Sequence, residues 1–252
     1  MNELSFIQLA ILSAAGVLAG FINVVAGGGS LITLPLMIFL GLPPVVANGT
    51  NRIGIIAQNI VAVTNFSRKG VSVYPYSLYA GGIAVLGSII GSMLALEMDD
   101  QLFNRILSIV MVVTGTAILL NNKKTTSSSA VPLVKNQTVS LFLFFFIGIY
   151  GGFIHVGIGF LMILILSRIN MLTLKYANSI KVFVALLFSI SSIIVFILNG
   201  AINWRVGFAL AIGTSVGGYL GSHFTMKKSE KWIKLVLILA ITVMAVKLWF
   251  IK

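Results

Sequence analysis

GVLAGFINVVAGGGSLITLP, from Gly16 to Pro35, and GIYGGFIHVGIGFLMILIL, from Gly148 to Leu166, are apolar segments broken by glycine in matching places. Inside a bilayer the main chain has no water to bond, so irregular backbone is tolerated only where protein buries it or where it lines a cavity. Two such breaks in corresponding positions therefore point to a path for a solute. Working outward from them fixes the class of the chain.

Of its 252 residues, 58% are hydrophobic and 9% charged. Several apolar runs approach the roughly 20 residues that a helix needs to span a bilayer. The expected fold is all-α, a polytopic transmembrane helical bundle with no separate soluble domain. A net charge of +12 raises the question of a nucleic-acid partner, but the basic residues sit mostly in short loops between apolar runs, as membrane topology requires. No nucleic acid is expected; the partners are the lipid bilayer and a small solute, and an oligomer is compatible with the sequence. The opening MNELSFIQLA has Glu3 and no Lys or Arg, unlike the basic start of a cleavable signal, so the first helix is expected to be retained. With no cysteine, thiolate metal sites and a cysteine nucleophile are excluded, and the redox compartment is left open.

Apolar runs fall at about 5–27, 30–42, 46–66, 76–97 and 102–120, and again at about 139–156, 158–172, 176–198, 205–225 and 231–250. Between the two sets lies NNKKTTSSSAVPLVKNQT, whose Ser/Thr/Lys content cannot support a core. The expected organisation is a first transmembrane repeat over 1–120, a polar cytoplasmic linker over 121–138 and a second repeat over 139–252. Each repeat is a glycine-broken helical hairpin followed by three spans. Gly16, Gly20, Phe21 and Ile22 match Gly148, Gly152, Phe153 and Ile154. After a two-residue change of offset, Ala47-Asn48 matches Ala177-Asn178, Gly70 matches Gly200, and Gly87, Gly91 and Ser92 match Gly217, Gly221 and Ser222. Agreement of glycine and asparagine is harder to reach by chance than agreement of apolar residues, which favours an internal duplication.

Charge orients the bundle. With the linker lysines Lys123, Lys124 and Lys135 cytoplasmic and an odd number of crossings per repeat, Arg68, Lys69, Arg168, Lys175 and the Lys227 to Lys234 cluster fall on the same side, and Glu3, Glu97, Asp99 and Asp100 on the other, diluted only by Arg105, Arg205 and the C-terminal lysines. The N-terminus is then outside and the repeats are inverted. Inverted repeats place a transport site near the midplane, between discontinuous helices.

Candidate site residues cluster at the breaks and at the third segment of each repeat. Gly27, Gly28 and Gly29 interrupt the first segment and Ser30 offers an N-cap for the piece that follows. Amides freed there can hold an anion, aided by the helix dipole. Gly157 and Gly159 form the second break, which lacks a following serine. The run Ala47-Asn48-Gly49-Thr50-Asn51-Arg52 and the run Ala177-Asn178-Ser179-Ile180-Lys181 each bring a cation beside amide or hydroxyl groups about one turn into a membrane helix. An intramembrane cation costs about 2.5–3.5 kcal/mol on insertion scales, so it marks a site or else snorkels to the headgroups; both readings stand. No acid lies at matching depth, which makes an anionic solute the natural counter-charge. His155, aligned with Asn23, either exchanges a proton on the path or is a hydrogen-bonded packing residue. Gln58, Asn59, Thr64 and Asn65 read as interhelical hydrogen-bonding groups.

Other motifs are set aside. Gly213-Thr-Ser-Val-Gly217 fits a nucleophile-elbow pattern but lacks the strand-turn-helix context, and reads as a packing face. Two histidines and five acids, mostly in loops, make a metal site unexpected, and no phosphate loop or other cofactor motif is present.

The stretch Gly20-Phe-Ile-Asn-Val-Val-Ala-Gly-Gly-Gly-Ser-Leu-Ile-Thr-Leu-Pro35, followed by Leu42-Pro-Pro-Val-Val-Ala-Asn-Gly-Thr50, resembles the signature of the TauE/SafE sulfite exporter family of membrane permeases. The likeness extends to the length, the duplication and the polar central linker. It implies movement of sulfite, sulfonates or related organosulfur anions across the cytoplasmic membrane, with coupling to protons. From the residues themselves, the expected function is a secondary transporter of a small anion working by alternating access. Two alternatives stay open: an anion channel, and a membrane-embedded enzyme built on Ser30, Ser215, His155 or His223. The enzyme reading lacks a partner set for any of these groups.

Overall fold

The computed structural model describes residues 4–120 and 133–224, and over these the chain is helical with no strand. The helices are α1 (Phe6–Ala26), α2 (Ser30–Phe39), α3 (Pro44–Arg68), α4 (Tyr76–Leu96), α5 (Asp100–Leu120), α6 (Gln137–Phe153), α7 (Ile158–Arg168), α8 (Leu174–Leu198) and α9 (Trp204–Phe224). Among the described residues, α1, α4 and α8 are both long and apolar enough to cross a membrane by length and composition. The expected segment at 231–250, most of the linker and the cluster from Lys227 to Lys234 lie outside the described residues.

Helix direction follows from which residues meet. Gly16 and Gly20 of α1 press on Leu210 and Thr214 of α9, and Gly217 and Gly221 press on Val17 and Phe21, so α1 and α9 run the same way. The pattern G-x-S-x-G is thus part of a packing face, where missing side chains let two backbones approach. Along α3 and α9, Thr50 meets Asn203, Gly54 meets Thr214 and Asn65 meets Ser222, again in the same direction. In α4, Ala84 and Ser88 meet Gly148 and Gly152 of α6, while Ser88 and Ser92 meet Ser191 and Ser192 of α8. Those three helices are parallel to one another. Yet α3 runs opposite to α8, because Gly49 packs on Phe196 and Ala201 while the Ser179 hydroxyl donates to the Val71 carbonyl. One set, α1, α3 and α9, therefore opposes the other, α4, α6 and α8.

Since α1 and α3 share a direction, the chain must travel back between them, and α2 makes that return. Ten residues of helix rise about 15 Å, half a bilayer, so α1 and α2 form a hairpin that turns inside the bundle. The helices α6 and α7 repeat the arrangement from the opposite end. Backbone detail recurs with it: left-handed residues stand at Gly27, Gly41 and Gly70 and, 130 positions later, at Gly157, Met171 and Gly200. The helix ends also match, with Val71 and Ala201 amides donating to Phe66 and Phe196 carbonyls at 2.9 Å.

Candidate functional site

The two hairpin tips meet. Gly27, held at φ +82°, lies so near Gly159 that a β-carbon added to it would sit 2.2 Å from the Gly159 carbonyl carbon. Gly29 is equally tight against the Ala19 carbonyl, and Gly157 against Thr114 of α5. Gly27 donates its amide back to the Ile22 and Asn23 carbonyls, closing α1. The amides of Gly28, Gly29 and Ser30 open α2, where the helical ladder offers no acceptor. Ser30 does not cap α2 as expected: Gly29 holds that position, and the Ser30 hydroxyl instead accepts from Asn51 Nδ2 at 3.2 Å. With Thr33 donating to Asn51 Oδ1 at 2.8 Å, α2 is tied to α3.

At the next position of α3, Arg52 is wholly buried. Its guanidinium donates to the Gly151 carbonyl (2.5 Å), the Gly152 carbonyl (2.8 Å) and Asn48 Oδ1 (3.3 Å), and its carbon lies 5.7 Å from the centre of the Phe196 ring. Asn48 in turn donates to the Phe153 carbonyl at 2.7 Å. These carbonyls end α6, where the helix dipole is negative, so a helix terminus supplies the counter-charge that the sequence leaves unassigned. Arg52 also approaches His155 Nδ1 at 2.9 Å. A guanidinium has only donors, so this nitrogen accepts and carries no proton, which leaves Nε2 as the protonated nitrogen of a neutral ring. The imidazole packs on Phe188 with centroids 5.1 Å apart.

Lys181 solves the same burial problem at the other end. Its ammonium donates to the Asn23 and Val24 carbonyls at the end of α1 (2.9 and 2.7 Å) and to Asn178 Oδ1 (2.6 Å), which uses all three of its protons. Each cation thus caps the broken helix of the opposite half. They are one position out of register, Lys181 standing where the offset places Asn51. Because α3 and α8 are antiparallel, the Arg52 and Lys181 clusters stand at different levels: His155 beside Arg52 packs on Phe188, about 10 Å along α8 from Lys181. The candidate residues therefore fall into two groups rather than one: Asn48, Asn51, Arg52, Ser30 and His155 on one side of the touching tips, and Asn178, Ser179 and Lys181 on the other. Thr50 belongs to neither, since its hydroxyl accepts from the Asn203 amide and fixes the start of α9.

The interior holds more donors than acceptors. Among the described residues Arg52 Nε, Gln58 Nε2, Asn59 Nδ2 and Asn178 Nδ2 are buried donors without a hydrogen-bond partner, against the one unpartnered amide acceptor Asn104 Oδ1, and no acidic side chain is buried. Unpaired donors are costly in a low-dielectric interior, about 1–3 kcal/mol each, unless an acceptor arrives. Asn59 and the equally unpartnered Ser189 occupy equivalent positions on α3 and α8. Of the polar stripe expected on α3, Asn65 does bond across helices to Ser222, whereas Thr64 bonds within its own helix. The serine pairs Ser88–Ser191 and Ser92–Ser192, each at 2.6 Å, were not singled out from the sequence; four-residue small-residue spacing on α4 is the signal that leads to them.

A family model described as Sulfite exporter TauE/SafE matches residues 12–248. The chain belongs to the TauE/SafE family. Among the TauE/SafE relatives, a probable membrane transporter protein of Haemophilus influenzae is 29% identical over 252 residues, covering 96% of each chain. The probable membrane transporter protein ORF9 of a Sinorhizobium species is also 29% identical, covering 98% of this chain and 95% of its own. The probable membrane transporter protein YfcA of Escherichia coli K12 is 26% identical over 242 residues, 96% of this chain and 90% of its own. No solved structure matches.

Proposed function

We propose that this TauE/SafE membrane transporter carries a small oxyanion, of the sulfite or sulfonate kind, across the cytoplasmic membrane by alternating access between two inverted repeats. The observation that carries the reading is the excess of buried donors: Arg52 Nε and Asn178 Nδ2 have no acceptor among the described residues, and an oxyanion is made of acceptors. One subsite comprises Arg52, Asn48, Asn51, His155, Ser30 and the amides of Gly28 and Gly29. The other comprises Asn178, Ser179 and Lys181, with Lys181 contributing charge through a fully engaged ammonium. Gly27 and Gly159, touching between them, form the barrier that separates the subsites, and Gly157 shapes the second tip. The inverted relation is supported by the opposed directions of α1 and α6 and of α3 and α8, and by the recurring left-handed residues.

Rocking one hairpin against the other opens one subsite while closing its counterpart, as in other carriers built from inverted repeats. His155 is the group proposed for proton coupling: Nδ1, its one nitrogen without a proton, accepts from Arg52, so uptake of a proton there requires Arg52 to let go as the subsite rearranges. The reading is tested in proteoliposomes: labelled sulfite flux should be saturable, respond to an imposed pH gradient and be lost in Arg52→Gln. Flux that never saturates means a pore, and flux unchanged in Arg52→Gln removes the first subsite.

A further inference from the structure

A cavity of about 50 Å³ lies between the end of α3, the start of α4 and the start of α8. It descends from the exposed Ser67 and Ser72 to the buried Ser77, Ser179 and Ile180. That volume holds roughly three or four waters or one small oxyanion. Four serines and six apolar or aromatic residues line it; Ser179 gives its proton to the Val71 carbonyl, which leaves Ser67, Ser72 and Ser77 as the donors, with Arg68 and Lys69 following Ser67 and Lys175 one turn before Ser179. Among the described residues the acids Glu97, Asp99 and Asp100 stand beyond the far end of α4, at the opposite end of the bundle.

The equivalent place at the acidic end is filled. By the offset that relates the halves, Ser77 and Ser179 correspond to Gly207 and Gly49. A β-carbon on Gly207 would meet the Ile53 side chain at 2.2 Å, and one on Gly49 would meet the Ala201 carbonyl at 2.3 Å and the Phe196 ring at 2.9 Å. Two places that the repeat makes equivalent thus differ, one hollow and lined in part by serine hydroxyls, the other packed solid.

We propose that the cavity at Ser67, Ser72, Ser77 and Ser179 is the docking site for the oxyanion at the basic end of the bundle, and that its counterpart at Gly49 and Gly207 opens only when this one closes. The inference rests on the carrier reading above. It assigns the described conformation to the state open toward Arg68 and Lys69. Serine hydroxyls hold the anion without the tight grip of a buried cation, which suits an entry site from which the solute must move on.

Because the chain has no cysteine, single-cysteine variants give one reactive thiol without further engineering. Ser77→Cys and Gly207→Cys would be alkylated with a membrane-impermeant maleimide in inside-out and right-side-out vesicles, with sulfate or isethionate as probe and chloride as the salt control. Ser77→Cys should label only from the basic end, and labelling should slow by roughly fivefold when the probe is present at a few times its Kd, since only empty sites react. Gly207→Cys should resist the reagent from either face. Labelling of Ser77→Cys with no protection by either oxyanion overturns the docking site, and equal labelling of Gly207→Cys from the acidic end overturns the one-sided state. If Ser77→Cys fails to reach the membrane, Ser72→Cys at the mouth is read in the same way. Protection without transport in proteoliposomes would refute the carrier and leave the docking site standing, so the two failures are distinct.

Discussion

Arg52 and Lys181 occupy comparable corners of the molecule, each buried near the start of a 25-residue helix and each aimed at the carbonyls that end a broken helix from the other half. Lys181 finds three acceptors for three protons; Arg52, with five N–H groups in a planar fork, keeps one that nothing accepts. The difference teaches that a helix end and one amide oxygen can satisfy every N–H of a buried ammonium, as at Lys181. A guanidinium in the same setting keeps a donor unpaired. On the proposed reading the first corner offers Arg52 Nε to the solute, whereas the second offers Asn178 Nδ2 while Lys181 holds the hairpin and sets the potential.

The largest effect should come from Arg52→Ala, which strips two carbonyls of their donor and leaves a hole beneath Phe196. We expect a loss of about 4 kcal/mol, read as a lowered Tm in detergent, and no measurable flux. Gly27→Ala tests the barrier between the corners. It forces a left-handed alanine against Gly159 and should cost about 3 kcal/mol, whereas Gly41→Ala, also left-handed at φ +95° but with open space around it, should cost about 1 kcal/mol. Equal melting points for these two variants would show that the tips do not touch. Lys181→Met should destabilise by about 2 kcal/mol and slow flux less than Arg52→Ala, because no proton of Lys181 is spare. If it abolishes flux while the protein stays folded, the functional contrast between the corners is wrong. The smallest effect belongs to Thr33→Val, which removes one bond to Asn51 and should cost about 1 kcal/mol with little change in flux.

Much of the architecture can be read in the residues. The glycine runs give the breaks, and the paired Gly and Asn positions give the correspondence of α3 with α8. The site is less legible, for a physical reason. The partners of Arg52 and Lys181 are main-chain carbonyls, which every residue carries and which leave no trace in side-chain identity. The loop charges lead to inverted repeats and hence to antiparallel α3 and α8, but side-chain identity does not give the level at which Asn48 and Asn178 stand, so residues that look like one constellation in sequence fall into two groups. Ser30 shows the same limit locally: a serine before an apolar run suggests a cap, but Asn51 from another helix competes for its hydroxyl.

Ligand-induced stabilisation of the purified protein tests the central claim most directly, because a solute that binds only the folded state raises its stability by about 2.7 kcal/mol at one hundred times Kd. Melting curves of the wild type and of Arg52→Lys would be recorded against sulfite, sulfate, isethionate and, as a cationic control, choline. The account predicts saturable stabilisation of the wild type by at least one oxyanion, none by choline, and a clear loss of the effect in Arg52→Lys, which keeps the charge and removes the spare donor. Stabilisation by choline alone, or an oxyanion effect undiminished in Arg52→Lys, would contradict it.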